Sequence, residues 1–512
     1  MLVLAALGGV AELPAAAEQA TFANPIYSGQ DPYVLRHEGA YYMAASAPGD
    51  RAIYVYKSDR LTDPGVFRVA YQPEDGPHGH QLWAPEIHHI DGRWYIYTCA
   101  DNGDNANHHL VVLEAETDDP QGPYRMAAVL KTPSWAIDET IFRGEDGGLY
   151  CLYSGWPVGT KPDSTQHIFI SRMKSPTELV GPSTDISGKM LPWETSGRPD
   201  GLNEGPQVLR RDGRLFVFYA CSGSWTADYC LGLLEHTGGD LLDAANWKKH
   251  PEPLLRRSGN IYGPGHGCVT KSPDGTEDWL VYHSSIDKGG SWNRSISIKP
   301  FTWKKDGAPD FGTPPAWGES LEAPSGEPAL EKGEEYSDAF ESEDRWQPYG
   351  FFRDRTIAAE KGELVVRGTR DARYEDKALL RGSEYSDCEI TVDVRKLAGD
   401  GAAGILFRAI DCAIGENRYK GYAVRLGADG VLTLGKSNGA KFMPIATKQL
   451  APLTESPQRL RVVARGPNLR VFIGDAMTPA IEAIDSDYAS GRVGLQAARL
   501  DAAFDDFTVK PL

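Results

Sequence analysis

Five polar side chains stand at the start of short apolar segments between residues 31 and 266. A strand favours apolar or β-branched residues at such positions, so a recurring acid or histidine there is unusual. Two carboxyl groups on opposite sides of a pocket can hydrolyse a glycosidic bond, one as the acid and one as the base that activates water. Crowded carboxyl groups push their pKa values apart, which supplies both protonation states. The five side chains are Asp31, Glu86, Asp138, Glu204 and His266.

Each of these segments runs into an acid–glycine pair that is followed by a second apolar or aromatic run. The pattern is seen in HEGAYYMAAS and is repeated in IDGRWYIYTCA, EDGGLYCLYSG, RDGRLFVFYACSG and SPDGTEDWLVYHSS. An acid–glycine pair between two apolar segments is a strong hairpin signal. Each interval also holds a second pair of strand-like runs, such as AIYVYKS and HLVVLEAE. Four short strands per unit, repeated five times, predict an all-β fold with a five-bladed β-propeller over residues 21–303.

In a propeller the innermost strands line a central channel, and the equivalent ends of these strands meet at one mouth. One acid at a strand end is usually a turn cap or a solvated end. Five such residues in register would require five separate coincidences, so we expect them to converge. Asp31 opens the first repeat and Glu204 the fourth, which predicts that they face each other. An inverting hydrolase requires roughly 6.5–9.5 Å between its two carboxyl groups, which leaves room for water.

The motifs in this part of the chain, taken together and in their order, resemble glycoside hydrolase family 43. They are DPYV at 31–34, WAPE at 83–86, IDET at 137–140, NEGP at 203–206 and GHG at 265–267. The resemblance covers about residues 20–310. It implies a five-bladed propeller and an inverting mechanism. One departure is Glu139, which follows the aspartate of the third motif where the family usually has proline. Because this extra acid lies near the site, the resemblance does not fix how the pKa of Glu204 is tuned.

The resemblance also implies roles for individual residues. Asp31 corresponds to the general base and Glu204 to the general acid, and Asp138 to the residue that orients the acid and raises its pKa. His266 corresponds to an axial histidine, often near a bound calcium or water, so we regard a water-mediated calcium at His266 as a possible metal site. Arg294, in WNRSISIKPFTW, corresponds to an arginine that reaches the sugar.

The expected chemistry requires no cofactor, but the substrate is open. WAPEIHHIDG with GPGHGCV is more similar to the arabinofuranosidase and arabinanase branches. We therefore expect an exo-acting enzyme that releases L-arabinofuranose from arabinan or arabinoxylan of the plant cell wall. A β-xylosidase of the same fold is the alternative, and a non-catalytic sugar-binding propeller is an alternative of another class. Further candidate substrate contacts, which can equally be core residues, are Trp83, Glu86, Trp135, Trp156 and Trp225.

Histidine-rich stretches at 78–80, 88–89 and 108–109 raise the possibility of zinc. Neighbouring residues on a strand point to opposite faces, so adjacent histidines chelate poorly and zinc catalysis is disfavoured. The segment DNGDNANHH at 101–109 offers oxygen ligands but lacks the EF-hand pattern. A solvated loop is the simpler interpretation.

The pattern restarts after residues 304–335, which are rich in proline, glycine and charge and are predicted to form a linker or surface strap. Short alternating runs over 336–512 predict an antiparallel β-sandwich of the jelly-roll type. The region resembles concanavalin-like modules attached to such hydrolases, including fructan-binding module family 66. Carbohydrate binding by this domain is a hypothesis, and purely structural docking against the propeller is the alternative.

The net charge of −18 disfavours nucleic acid or an anionic membrane as the main partner. Residues 1–20 resemble the later part of a secretory signal peptide without its basic region, which predicts a secreted or periplasmic protein. The apolar run is too short to span a bilayer. There are seven cysteines and no CxxC motif. Cys221 and Cys230 flank a predicted hairpin, where they form either a disulfide or two buried thiols.

Overall fold

The computed structural model of the protein describes residues 20–350, 356–368 and 375–512. The predicted signal peptide lies outside the described residues except for Ala20. Over the described ranges the regular secondary structure consists of β-strands, with short 3₁₀ turns at Asn105–Asn107, Pro192–Glu194 and Ala244–Asn246. The same ranges contain no helix with the length and hydropathy needed to cross a membrane.

The first part of the chain forms five β-sheets, as predicted, and each sheet is one blade of a propeller. Blade 1 consists of Tyr33–His37, Ala40–Ser46, Ile53–Ser58 and Val66–Tyr71. Blade 2 consists of His80–Ile90, Arg93–Asp101, His109–Ala115 and Tyr124–Val129. Blade 3 consists of Ala136–Arg143, Leu149–Gly155, His167–Ser175 and Glu178–Asp185. Blade 4 consists of Asn203–Arg211, Arg214–Cys221, Cys230–His236 and Trp247–Lys249. Blade 5 consists of Tyr262–Lys271, Asp278–Ser285, Arg294–Trp303 and Tyr27–Ser28.

The outermost strand of blade 5 comes from the beginning of the described chain. Tyr27 and Ser28 pair antiparallel with Ile296 and Ser295 of the preceding strand in that blade. This pairing closes the ring, because the segment directly before blade 1 then belongs to the sheet of the last blade. Buried apolar clusters fill the spaces between neighbouring blades. The ring is therefore held by packing between blades as well as by its closing strand.

The acid–glycine pairs form the tight hairpin turns that the sequence predicts. Glu38 and Gly39 have φ of 49° and 82°, and Asp212 and Gly213 have φ of 50° and 74°. Positive φ at both central residues is the requirement of a type I′ turn, which glycine meets without strain. Cys221 and Cys230 lie directly opposite each other on the strands of blade 4. They are free thiols with their Sγ atoms 3.5 Å apart.

The segment predicted as a linker lies against the propeller rather than extending away from it. Ser320–Glu322 pairs antiparallel with Thr21–Ala23, and Pro309–Asp310 continues the edge of blade 5. Phe311 is fully buried, and Glu327 accepts a hydrogen bond from the backbone N–H of Leu61 at 2.9 Å. The segment is thus a strap that connects the two halves of the chain.

The second half of the chain is a β-sandwich. Cys388–Ile410 and Arg492–Pro511 pair with each other along most of their length and belong to both layers. Along one part of Cys388–Ile410 the next partner is Gln458–Arg465, and along the other part it is Lys420–Gly427. The remaining strands are Tyr336–Asp338, Trp346–Tyr349, Ile357–Glu360, Glu363–Arg367, Glu375–Leu380, Ser383–Glu384, Val431–Asn438, Phe442–Gln449, Asn468–Ile473 and Ile481–Ile484. Ser383–Glu384 pairs in parallel with Glu331–Lys332 of the strap.

The sandwich contacts the propeller near the edge of blade 1. Arg381 forms an ion pair with Asp63 and donates to the carbonyl of Gly65 at 2.9 Å. Gln347 donates to the carbonyl of Thr62 at 3.2 Å. These contacts are buried or partly buried and join the two domains by charge and hydrogen bonding.

Candidate active site

A cavity of about 450 Å³ opens at one end of the propeller channel. It brings together six of the predicted site residues, which come from all five blades or the segments directly before them: Asp31, Trp83, Asp138, Glu204, His266 and Arg294. The expected convergence of separate chain segments on one hollow is therefore present. Its other walls include Gln30, Asp50, Asn105, Trp135, Asp163, Arg198, Ser224, Trp225 and Trp292.

Irregular backbone places the polar side chains at this mouth. In blades 2 to 5 the innermost strand shifts register at nearly the same level, and the shifts lie between Trp83 and Glu86, Ile137 and Thr140, Glu204 and Gln207, and Gly265 and Gly267. A β-bulge adds a residue to one strand and redirects its side chains, and bulges are common beside active sites. Asp31, Asp138 and His266 have positive φ values of 49°, 59° and 30°. Such conformations are strained for residues other than glycine and persist only where the surrounding fold fixes them.

Asp31 is surrounded by one guanidinium group and two imidazole rings. Its Oδ1 lies 3.2 Å from His266 Nδ1 and 3.4 Å from Arg294 Nη1, while its backbone N–H donates to His283 Nδ1 at 3.0 Å. Burial opposes ionisation, but His266, His283 and Arg294 together more than offset it and hold the pKa of Asp31 well below its ordinary value. Burial and Arg294 lower the pKa of His283 to about 3, so this imidazole is neutral. Asp31 is therefore an ionised carboxylate at neutral pH.

Glu204 has the opposite environment. It is buried, and its Oε1 accepts a hydrogen bond from the hydroxyl of Tyr229 at 2.6 Å. Burial raises the pKa of Glu204, although Tyr229, His266 and Arg294 act in the other direction. No hydrogen bond or ion pair joins Glu204 to Asp31 among the contacts of the described residues. Two carboxyl groups with opposite pKa shifts thus face one cavity without touching each other.

Asp138 connects these two environments. Its Oδ2 accepts a hydrogen bond from the backbone N–H of Gly205 at 3.1 Å and lies 3.9 Å from His266 Nδ1. Burial, together with the nearby charges of Glu204 and Asp31, raises the pKa of Asp138 to about 7. Burial disfavours the charged form of His266, but Asp31, Asp138 and Glu204 outweigh it and raise the pKa of His266. The carboxyl groups around the imidazole therefore favour its charged form, and Asp31 and Asp138 lie nearest to it.

Two residues predicted to contact substrate do not line the cavity. Glu86 is buried in the channel, where its carboxylate accepts hydrogen bonds from His88 at 2.9 Å and from Gln207. Trp156 lies behind Trp135, with the two rings stacked 4.6 Å apart at an interplanar angle of 8°. The bulge after Trp83 turns Glu86 inward, and Trp135 covers Trp156. The structure therefore places neither side chain on the cavity wall, and direct substrate contact by Glu86 and Trp156 stays a prediction.

Trp83 and Arg294 line the cavity as expected. The Trp83 ring packs 4.1 Å from the ring of His108, and Arg294 lies 4.6 Å above the ring of Trp292. Arg294 also donates to the carbonyl of Ser224 at 2.8 Å, which fixes the guanidinium between blades 4 and 5. This anchoring leaves one edge of the guanidinium directed at Asp31.

Sequence reasoning missed several residues of the site. Tyr229, directly before the third strand of blade 4, donates to Glu204. His283, on the second strand of blade 5, accepts from the backbone N–H of Asp31. Trp292 and Arg198 belong to the cavity wall, and Arg198 lies 5.3 Å above the ring of Trp225. A search for polar residues at the end of the second strand in each repeat would have found His283. Nothing in the local pattern marks Tyr229.

Calcium prefers six to eight oxygen ligands. Within the described ranges, no group of three or more His, Cys, Asp or Glu side chains is arranged to hold a metal ion. The carboxylate nearest to His266, that of Asp31, is already engaged by Arg294. The side chains therefore do not fit direct coordination of calcium, and calcium held through water remains a prediction.

Comparison with known proteins bears on both domains. The model of glycosyl hydrolases family 43 matches residues 22–309, and the model of the 3-keto-alpha-glucoside-1,2-lyase-like domain matches residues 335–510. A relative from Streptomyces avermitilis, named extracellular exo-alpha-(1->5)-L-arabinofuranosidase, is 34% identical over 342 residues, which are 62% of this chain and 69% of that protein.

Solved structures agree with the fold. An alpha-L-arabinofuranosidase from Lactobacillus brevis has a TM-score of 0.54 and 30% identity over 58% of this chain and 98% of its own. A xylan beta-1,4-xylosidase from Bacillus halodurans has a TM-score of 0.50 and 18% identity over 96% of this chain and 100% of its own, and this likeness concerns the fold alone. The family model covers the propeller and every residue that lines the cavity. The chain belongs to glycosyl hydrolases family 43 and is a glycoside hydrolase.

Proposed function

We propose that the protein is an inverting exo-α-L-arabinofuranosidase that releases terminal L-arabinofuranose from arabinan or arabinoxylan. The observation that carries this proposal is the pair of opposite pKa shifts of Asp31 and Glu204, which both line one cavity. Inverting hydrolysis requires one ionised and one protonated carboxyl group with water between the base and the sugar. The separate partners of the two groups are consistent with that arrangement.

Glu204 is the general acid. Because Tyr229 donates to Oε1, the acidic proton is carried by Oε2. As the bond between the anomeric carbon and the leaving oxygen breaks, Oε2 gives its proton to that oxygen. The raised pKa of Glu204 favours the protonated form that a general acid needs.

Asp31 is the general base. It takes a proton from a water molecule while the water oxygen attacks the anomeric carbon from the face opposite the leaving group. The cations His266 and Arg294 keep Asp31 ionised before the reaction. Proton exchange with solvent then returns Asp31 and Glu204 to their starting states.

Asp138 is a positioning residue in this proposal. Its hydrogen bond from Gly205 N–H fixes the backbone directly after Glu204. The charge of Glu204 raises the pKa of Asp138, and by the same repulsion an ionised Asp138 opposes the loss of the proton from Glu204.

The preference for arabinofuranose is supported by the relative from Streptomyces avermitilis and by the Lactobacillus brevis structure, both of which are named for that activity. The aromatic walls formed by Trp83, Trp135 and Trp225 suit the apolar faces of a sugar ring. The extracellular relative and the signal-like N-terminus support a secreted or periplasmic location.

Turnover of 4-nitrophenyl α-L-arabinofuranoside should be measured beside that of the β-D-xyloside. We expect the arabinoside to react at least ten times faster, and proton NMR of the early product should show β-L-arabinofuranose, since inversion changes the anomer. Turnover of the xyloside alone would support the β-xylosidase alternative. Early α-anomer would exclude inversion, and binding without turnover of either substrate would support a non-catalytic propeller.

Carbohydrate binding by the sandwich is a separate proposal, supported by the sugar-acting domain family that matches residues 335–510. Retention on insoluble arabinoxylan should be measured while arabino-oligosaccharide saturates the catalytic cavity. Retention that persists would support a second binding surface. Complete release would favour a purely structural sandwich.

A further inference from the structure

Two buried aromatic rings link the general base to the general acid of the proposed mechanism. They belong to His283, on the second strand of blade 5, and to Tyr229, directly before the third strand of blade 4. Both side chains are fully buried, so neither is placed to contact a sugar. Their rings are stacked, with centroids 5.7 Å apart and an interplanar angle of 10°. An offset parallel pair at this separation is a favourable aromatic arrangement.

The His283 ring is directed at Asp31. Its Nδ1 accepts a hydrogen bond from the backbone N–H of Asp31 at 3.0 Å and lies 3.2 Å from Oδ1 of the same residue. Its Nε2 is buried and has no hydrogen-bond partner among the described residues, so the polar contacts that orient the ring are those to Asp31. Asp31 has a positive φ of 49°, a conformation that persists only where neighbouring groups fix it. His283 therefore holds both the backbone and the carboxylate of the base.

The Tyr229 ring is directed at Glu204, whose Oε1 accepts from the tyrosine hydroxyl at 2.6 Å. Gly265, which lies opposite His283 in blade 5, leaves no spare room beside the ring, since a Cβ on this glycine would lie 2.3 Å from Cε1 of Tyr229. The Arg294 guanidinium lies 5.8 Å from the centroid of the same ring. Blade 5 thus confines the tyrosine ring, and a shift of the ring would move the hydroxyl away from the acid.

We propose that His283 and Tyr229 are positioning residues that act together as a stacked spacer between Asp31 and Glu204. Each ring sets the place of one carboxyl group, and the stack sets the places of the two rings. An inverting enzyme depends on such a fixed gap, roughly 6.5–9.5 Å between its carboxyl groups. The inference rests on the proposed inverting mechanism, and it adds a coupling between the base and the acid.

Two substitutions of His283 separate its two contacts. His283→Asn keeps an acceptor for the N–H of Asp31 but removes the ring that stacks on Tyr229. His283→Phe keeps a stacked ring but removes the acceptor. The matched controls are His250→Asn and His250→Phe, because His250 is a half-buried imidazole directly after the fourth strand of blade 4 and does not line the catalytic cavity. Thermal melting checks that each variant is folded.

His283→Asn should weaken the acid although the substituted residue does not touch Glu204. We expect kcat to fall about tenfold on arabinobiose but no more than about twofold on 4-nitrophenyl α-L-arabinofuranoside, whose leaving group needs little protonation. The alkaline limb of the kcat/KM profile should move to higher pH, because a displaced Tyr229 no longer stabilises the ionised form of Glu204. The His250 variants should retain kcat and both limbs.

His283→Phe should weaken the base instead. We expect kcat to fall about 10²-fold on both substrates alike, because the base is misplaced whichever group leaves. The lost contact with the imidazole raises the pKa of Asp31, so the acidic limb of the kcat/KM profile should move to higher pH. If this variant does not fold, His283→Asn and the double variant below decide the question.

The double variant His283→Asn/Tyr229→Phe tests the coupling. Both substitutions act on Glu204 through the same hydroxyl, so on arabinobiose the double variant should lose no more than about twofold beyond Tyr229→Phe alone. Three outcomes would overturn the inference: losses that multiply in the double variant, a His283→Asn variant with wild-type kcat on arabinobiose, or one that loses activity equally on both substrates. Failure of the proposed function is seen separately in the wild type, which would leave the aryl arabinoside intact.

Discussion

Both domains bury charged side chains, but they treat them differently. At the propeller mouth, Asp138 and Glu204 are buried acids with raised pKa values, and they face a cavity. In the sandwich, the buried Glu375 accepts from Arg425 at 2.8 Å and lies 4.0 Å from Lys377. Lys377 in turn donates to the carbonyl of Gly415 at 2.8 Å.

The difference indicates which cluster is chemical and which is structural. A buried charged group whose hydrogen bonds and ion pairs are all made within the fold has no bonding capacity left for a ligand. A buried acid left short of partners costs stability, and such groups are retained where a reaction uses them. The buried acids at the propeller mouth therefore lower the stability of the fold but are available for a reaction. The charged cluster of the sandwich stabilises its own domain.

The largest expected effect comes from removing the reacting carboxyl groups. Asp31→Asn should lower kcat at least about 10³-fold on every substrate, because no base remains. Glu204→Gln should do the same on arabino-oligosaccharides but cost much less with 4-nitrophenyl arabinofuranoside, whose leaving group needs little protonation. Steady-state kinetics on both substrates measures the contrast.

The sandwich supplies the control for these variants. Glu375→Gln should leave kcat unchanged and lower the free energy of unfolding by about 3–5 kcal/mol, since it leaves buried cations without their acid. Thermal melting should show no such loss for Glu204→Gln. Equal melting losses in the two variants would remove the distinction between the clusters.

A smaller effect is expected from Asp138→Asn. The neutral amide no longer opposes ionisation of Glu204, so the pKa of Glu204 should fall and kcat should drop about 10²-fold. Because Glu204 must be protonated to act, the alkaline limb of the kcat/KM profile should move to lower pH. An unmoved limb would show that Asp138 does not tune the acid.

Tyr229→Phe should shift the alkaline limb of the kcat/KM profile in the opposite direction. The lost hydroxyl stabilises the ionised form of Glu204, so its removal raises the pKa of Glu204 and moves the alkaline limb to higher pH. We expect a decrease in kcat of about tenfold, from poorer orientation of the acid. Tyr219→Phe is the control, because Tyr219 donates to Glu194 at 2.8 Å in the same blade but does not line the catalytic cavity.

The smallest effect concerns Glu139, the departure from the family pattern. Its carboxyl group is fully buried, has no hydrogen-bond partner among the described residues, and has a pKa raised well above its ordinary value by burial. It keeps its proton in the folded state but loses it in the unfolded chain above its ordinary pKa. The free energy of unfolding therefore falls as the pH rises.

Glu139→Gln should remove this dependence. The melting temperature of the variant should exceed that of the wild type by more at pH 8 than at pH 5, while kcat stays within about threefold. A constant difference between the two pH values would show that Glu139 is not protonated in the folded enzyme.

The repeat pattern predicted much of this molecule. Five acid–glycine turns identified five units, and the residues that head the innermost strands include Asp31, Asp138 and Glu204, which meet at one mouth. The sequence pattern did not show that Glu86 and Trp156 lie off the cavity wall, because a bulge and a covering tryptophan decide which side chains reach the cavity. It also missed the closing strand Tyr27–Ser28, which is too short to have a period.

The sequence alone determined the alternation of hydrophobic runs and tight turns, and hence the propeller, the sandwich and the approximate place of the acids. These are local properties, since they depend on residues a few positions apart. Only the tertiary structure decided which acid has a lowered pKa and which has a raised one. That difference arises from His266, Arg294 and Tyr229, which come from other blades or other strands and meet the acids only when the ring closes. Burial and charge act through space, so a carboxyl group acquires its pKa from neighbours that are distant along the chain.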